Sequence, residues 1–93
     1  MAREISKPTI HLNGTAGADL LDAYLEASDA LRKAMEALRN AAPNGRDYYP
    51  QGESAVHRAT EEHRARHQAL KAVYDDMQEL ALHVSQEQDR RHR

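Results

Sequence analysis

The chain contains no cysteine, no phenylalanine and no tryptophan. Without thiols there is no disulfide framework, no thiolate zinc site, no iron–sulfur cluster and no cysteine nucleophile. Without the two large apolar aromatics, a core has to be built from Leu, Ala, Val, Met and the four tyrosines. Long apolar runs are missing as well, so neither a signal peptide nor a membrane span is expected, and a cytoplasmic protein is the expectation. Positive charge is not in excess: 13 Lys and Arg stand against 15 Asp and Glu, for a formal net charge of −2 and a pI near 6.3. That balance excludes a polycation that holds nucleic acid without regard to sequence. At 93 residues, a chain buries only about 60 to 65% of the surface its unfolded form exposes, which leaves little room for an enclosed active site.

What the chain does have is helical periodicity. Residues 1–14 read as an N-terminal arm, with Pro8, the β-prone run Thr9-Ile10-His11-Leu12 that predicts a short strand or an extended segment, and the turn pair Asn13-Gly14. Thr15 is placed to cap a helix that carries Asp19 in its first turn and runs to about Ala42. Its seam is Leu21, Tyr24, Ser28, Leu31, Met35, Leu38 and Ala42, spaced three and four apart and interrupted only by Ser28. Beside it runs a second row, Leu20, Ala23, Ala27, Ala30, Ala34, Ala37 and Ala41. On the solvated face, Asp29 with Lys33 and Arg32 with Glu36 are spaced as i, i+4 ion pairs. Pro43-Asn44-Gly45 stops this helix, and Pro50 and Gly52 bracket the next start.

The second helix is expected from about Glu53 to Gln86, with the seam Val56, Thr60, His63, His67, Leu70, Tyr74, Met77, Ala81 and Val84. The charged stretch 87–93 has no apolar residue and is expected to be a disordered tail. These features predict an all-α fold: two long helices, about 15–42 and 53–86, in an antiparallel hairpin domain spanning 15–86. Folding about the centre of the loop makes facing residue numbers sum to roughly 95 and sets Ser28 opposite His67 as a satisfied polar pair. One hairpin leaves the alanine row uncovered, so the hairpin is expected to associate with itself into a helical bundle.

Three places could carry chemistry. His63 and His67, four apart, project from one helix face and could share a metal. The other reading, taken here, is that both are structural seam residues and that the chain holds no metal and no cofactor. His57 and His83 read as surface residues. The interhelical segment Asn44-Gly45-Arg46-Asp47-Tyr48-Tyr49-Pro50-Gln51-Gly52 spends half the tyrosines at a tip. As a ligand site, Arg46 would grip a phosphate or carboxylate, Tyr48 and Tyr49 would stack on a ring, and Gln51, Arg39 and Arg58 would add polar contacts and charge. As a lid, the tyrosines would fold back over the hairpin end while Arg46 pairs with Asp47 or Glu53. The third place is the basic stripe of Arg64 and Lys71, interrupted by Glu61 and Glu62 and reversed by Asp75, Asp76 and Glu79, which reads as a solvated, ion-paired face. No Gly-rich phosphate loop, nucleophile elbow or Ser, His and Asp grouping is present, so no enzyme is expected.

The HLNGT entry at Ile10-His11-Leu12-Asn13-Gly14-Thr15, the loop Asn44–Gly52 and the run Glu62-His63-Arg64 resemble small uncharacterised proteins of tailed phages and prophages of Proteobacteria, over nearly the whole chain. More distantly, the order of helix, Asn-x-Arg-aromatic loop ending in Gly, and second helix looks like the phage cyclic-nucleotide sponges that disarm CBASS immunity. In those sponges a Trp follows the loop Arg, where this chain has Asp47. The resemblance implies a phage-encoded, non-catalytic binding protein of the host-cell cytoplasm that counters host defence by sequestering a nucleotide signal or another anionic ligand. An interaction module that docks on a host defence protein, or a phage structural accessory, is the alternative. A nucleic-acid binder using the second helix and the tail Arg90-Arg91-His92-Arg93 is the third reading.

Overall fold

The structure, a computed structural model, describes residues 4–91. Its elements are α1 (Gly17–Asn40), the one-turn helix α2 (Gly45–Tyr48), a 3-10 turn (Tyr49–Gln51) and α3 (Glu53–Arg91), and no strand occurs among the described residues. α1 packs along α3 as an antiparallel all-α hairpin, and the molecule measures 63 × 25 × 20 Å. The long dimension is that of α3 itself, since 39 residues of α-helix rise about 58 Å.

Both expected seams form the interface. On α1, Ser28 and Met35 are buried, and Leu21, Tyr24, Leu31 and Leu38 are half-buried; on α3, Ala81 and Val84 are buried, and His63, His67, Leu70, Tyr74 and Met77 are half-buried. Ala42 and Thr60 fall outside the interface and are exposed, and Val56, half-buried, lies beyond the end of α1. Thr60 turns its hydroxyl back on its own helix, where Oγ1 donates to the Val56 carbonyl at 2.9 Å.

The register differs from the one predicted. Gly17 lies against Gln88, so close that a Cβ on Gly17 would come within 2.9 Å of that side chain, and Leu21 and Leu25 line a groove with Gln78, Ala81, Leu82 and Ser85. Residue numbers across the interface therefore sum to about 105, and α3 is displaced by roughly ten residues, close to three turns, from the loop-centred expectation. Ser28 consequently lies at the level of Met77, and His67 at that of Leu38. The predicted Ser28–His67 pair does not form: Ser28 Oγ and His67 Nε2 are both buried without a hydrogen-bond partner.

The cause of the shift is the interhelical segment. Instead of spanning the ends of two helices as a loop, it folds: Asn44 Oδ1 accepts from the Arg46 N–H at 3.0 Å and starts α2, and α2 and the 3-10 turn pack on α3. Gly52 ends this tip at φ 101°, in the left-handed region that glycine takes without a Cβ penalty. Because α1 ends at the level of about residue 65, the tip is what covers Ala55 and Ala59, which are buried in the first two turns of α3.

The opposite end also departs from expectation. α1 starts at Gly17, with Ala16 at the N-cap position and no side-chain cap, so Thr15 does not serve as one. No strand forms at residues 9–12, because the arm bonds to side chains of α3 and has no β partner. The Pro8 carbonyl lies 2.8 Å from His83 Nε2, Arg91 donates to the Ile10 carbonyl, and Lys7 lies 3.8 Å from Glu79. His83 is accordingly half-buried, contrary to its reading as a surface residue. The expected disordered tail is helical through Arg91: Glu87 and Gln88 are half-buried against the rest of the chain, and Arg90 and Arg91 suit the negative end of the helix dipole. Met1–Arg3 of the arm and His92 and Arg93 of the tail lie outside the described residues.

On the solvated face of α1, Asp29 pairs with Lys33 at 3.1 Å and with Arg32 at 2.6 Å, so Arg32 is drawn to Asp29 and not to the expected Glu36. The Arg32 hydrogen bond, followed by Lys33, holds the Asp29 carboxyl below its ordinary value. The sign follows directly: these pairs act at neutral pH and lose their effect only as pH falls through that lowered value.

An orphaned hydroxyl in the interface generates a test. Ser28→Ala removes a buried polar group that has no partner and improves helix propensity, so it should stabilise the fold by about 1 kcal/mol. Thermal and urea unfolding check this; a loss of stability would mean that the hydroxyl is bonded, as the loop-centred register requires.

Candidate functional site

The tip brings together four of the six residues expected to recognise a ligand. Arg46, Tyr48, Tyr49 and Gln51 lie on one continuous helical turn and 3-10 turn that packs on the start of α3. The local fold follows from sequence: Asn44 caps, Gly45 opens the turn, Pro50 sits in the first turn of the 3-10 segment where its missing N–H costs nothing, and Gly52 releases the chain into α3. The Gly52 N–H bonds the Tyr49 carbonyl at 3.0 Å, and the Ala55 N–H bonds that of Gly52 at 3.1 Å, so the backbone is continuous in its bonding from tip to helix.

The two tyrosines divide the work. Tyr48 is half-buried, while Tyr49 is 71% exposed. The burial of Tyr48 is what a lid requires, and Tyr49 leaves its ring open to solvent. Arg46 is exposed and makes neither of the ion pairs considered for it, with Asp47 or with Glu53, so its guanidinium is free of the fold among the described residues. Gln51 is exposed beside it.

Arg58 and Arg39 stand further off. Arg58, on the second turn of α3, is exposed and reaches only Ser54 Oγ, at 3.5 Å. Arg39, in the last turn of α1, is exposed at the level of about residue 66 of α3. The register separates these two arginines by roughly 12 Å along the axis, where a loop-centred hairpin would have set them at one level.

His63 and His67 are half-buried on the seam, and among the described residues no group of three or more His, Asp and Glu is placed to hold a metal ion. The basic stripe of α3 is ion-paired within its own helix: Arg64 with Glu61 at 2.9 Å and Lys71 with Asp75 at 3.1 Å.

Sequence reasoning missed one surface feature, the groove of about 330 Å³ lined by Leu21, Leu25, Gln78, Ala81, Leu82 and Ser85. Leu25 is 47% and Leu82 58% exposed there. The available signal was that Leu25 and Leu82 each lie just off a seam, on the side that an antiparallel pair brings together.

The division between the tyrosines is testable. Tyr48→Ala should cost about 1 to 2 kcal/mol through lost packing, and Tyr49→Ala less than about 0.5 kcal/mol. Chemical unfolding of both variants checks this; equal and large losses would make the whole tip a lid.

No family model, no curated protein and no solved structure matches this chain, so the reading of the site rests on its residues and their geometry.

Proposed function

We propose that the chain is a non-catalytic binding protein whose tip takes an anionic ligand that carries a planar ring, the chemistry of a nucleotide. The observation that supports this reading is the unpartnered Arg46 two and three residues from the tyrosine pair, with Tyr49 turned to solvent on a folded tip. A guanidinium offers five N–H donors in a fork that matches phosphate, and a tyrosine ring offers a stacking face. Holding both on a hydrogen-bonded turn lowers the ordering cost of binding relative to a flexible loop. Gln51 adds a donor and acceptor for a ring edge, and Arg58 adds charge on the adjoining helix.

The resemblance of the NGRDYYPQG loop and the HLNGT entry to phage proteins sets this activity in a phage context: a protein of the host-cell cytoplasm that counters defence by sequestering a nucleotide immune signal. Sequestration needs tight binding and no turnover, which suits an open surface that excludes little water. A second reading, docking on a host protein, is favoured by the exposed Leu25 and Leu82 of the groove.

Native mass spectrometry of the protein mixed with a panel of cyclic and linear nucleotides separates the two. Binding of a nucleotide should weaken by about 1.5 to 3 kcal/mol in Arg46→Ala and by about 1 to 3 kcal/mol in Tyr49→Ala. It should be unchanged in Leu82→Ser. Absence of any nucleotide complex, or loss of binding in Leu82→Ser alone, would overturn the tip as a nucleotide site.

A further inference from the structure

The chain exposes 7195 Å², whereas a compact monomer of 10.5 kDa exposes about 5400 Å². The excess of roughly 1800 Å² is about twice what a standard interface takes from one partner. Its source is visible in the core, in which Val84 alone among the large side chains of the described residues is fully buried. Part of the excess lies on the flank of α1 away from the groove, where Ala23, Ala30, Ala34 and Ala37 are exposed.

This flank is self-complementary when reversed. Counted along the row with Ala30 at its centre, Ala23 is matched by Ala37 and Ala27 by Ala34, so a second α1 laid antiparallel meets small residue with small residue along about four turns. Charge has the same centre. Asp19, Asp22, Glu26 and Asp29 precede Ala30, whereas Arg32, Lys33 and Arg39 follow it with Glu36 as the only acid, so reversal lays the acidic half of each helix over the basic half of the other. Glu26, which has no partner within the described chain, falls opposite Lys33 of such a copy on the same border. Reversal also brings the end of the molecule that carries Leu12, 94% exposed, beside the end of the copy that carries Tyr49, 71% exposed.

We infer that two copies of this chain associate through α1 against α1 in an antiparallel, two-fold pairing whose axis passes Ala30. The arrangement is a four-helix dimer with its two tips at opposite ends, and it does not depend on whether the tip binds a nucleotide.

The absence of native cysteine makes the test clean. A residue on a two-fold axis meets itself, so Ala30→Cys should cross-link to a covalent dimer on oxidation, at least about tenfold faster than Ala72→Cys, an exposed site on the far side of α3. Ala23→Cys mixed with Ala37→Cys should give a cross-linked heterodimer, faster than either variant alone. Circular dichroism confirms that each variant keeps its helix content, and sedimentation of the unaltered protein should give twice 10.5 kDa. A monomer in sedimentation overturns the proposal. So does a dimer in which Ala72→Cys cross-links as fast as Ala30→Cys, which would place the interface elsewhere.

Discussion

Everything in this molecule is positioned by the packing of a seven-residue tip, Gly45–Gln51, on the first turns of α3. An antiparallel pair of helices with periodic seams can slide in steps of one seam position and still bury apolar side chains, so the seam by itself selects no register. The tip breaks that degeneracy. By occupying the side of α3 that carries Ala55 and Ala59, it pushes the end of α1 down to about residue 65 and leaves Gly17 against Gln88. The same displacement extends the use of α3 to Arg91 and gives the N-terminal arm a helix to lie on. The tip thus covers the overhang of α3 past the end of α1, while the arm lies along α3 between Glu79 and Arg91.

What the residues disclosed in advance, and what they hid, follows from the range of the interactions. The seams from Leu21 to Leu38 and from His63 to Val84 were legible because they depend only on helical repeat. Their register was not, because Asn44 capping a new turn converts an apparent loop into structure, a local event with an effect three turns away. The polar pair inferred between Ser28 and His67 failed for that reason, and both atoms are left without partners. Residues 87–91 carry no apolar side chain, yet they hold helix because Gln88 packs on Gly17 and Arg91 reaches the arm. The arm was the least legible part, since its bonds to His83 and Arg91 join residues more than seventy positions apart.

The candidate site inherits its geometry from the same contact. Tyr48 contributes to packing and Tyr49 stays outside, so one dipeptide supplies both an anchor and an exposed ring. Among the described residues Arg46 remains unpaired beside them, because the tip turns are closed by backbone bonds and by Asn44, with no demand on its guanidinium. Arg39, by contrast, is set apart from the tip by the register, which leaves Arg46, Tyr49 and Gln51 on the tip and Arg58 on the adjoining turns of α3. The tip lies at the end of the hairpin, apart from the alanine-bearing flank of α1.

The register is therefore the claim to measure, and pulsed electron spin resonance on paired cysteine labels measures it directly in labelled chains diluted with unlabelled ones. With one label at Arg32, the second is placed at Lys71 or at Arg64, all three exposed on the same side of the hairpin. The tip-determined register predicts the shorter distance for Arg32 with Lys71, by roughly 10 Å along the axis. A shorter distance for Arg32 with Arg64 would restore the loop-centred hairpin and contradict the account.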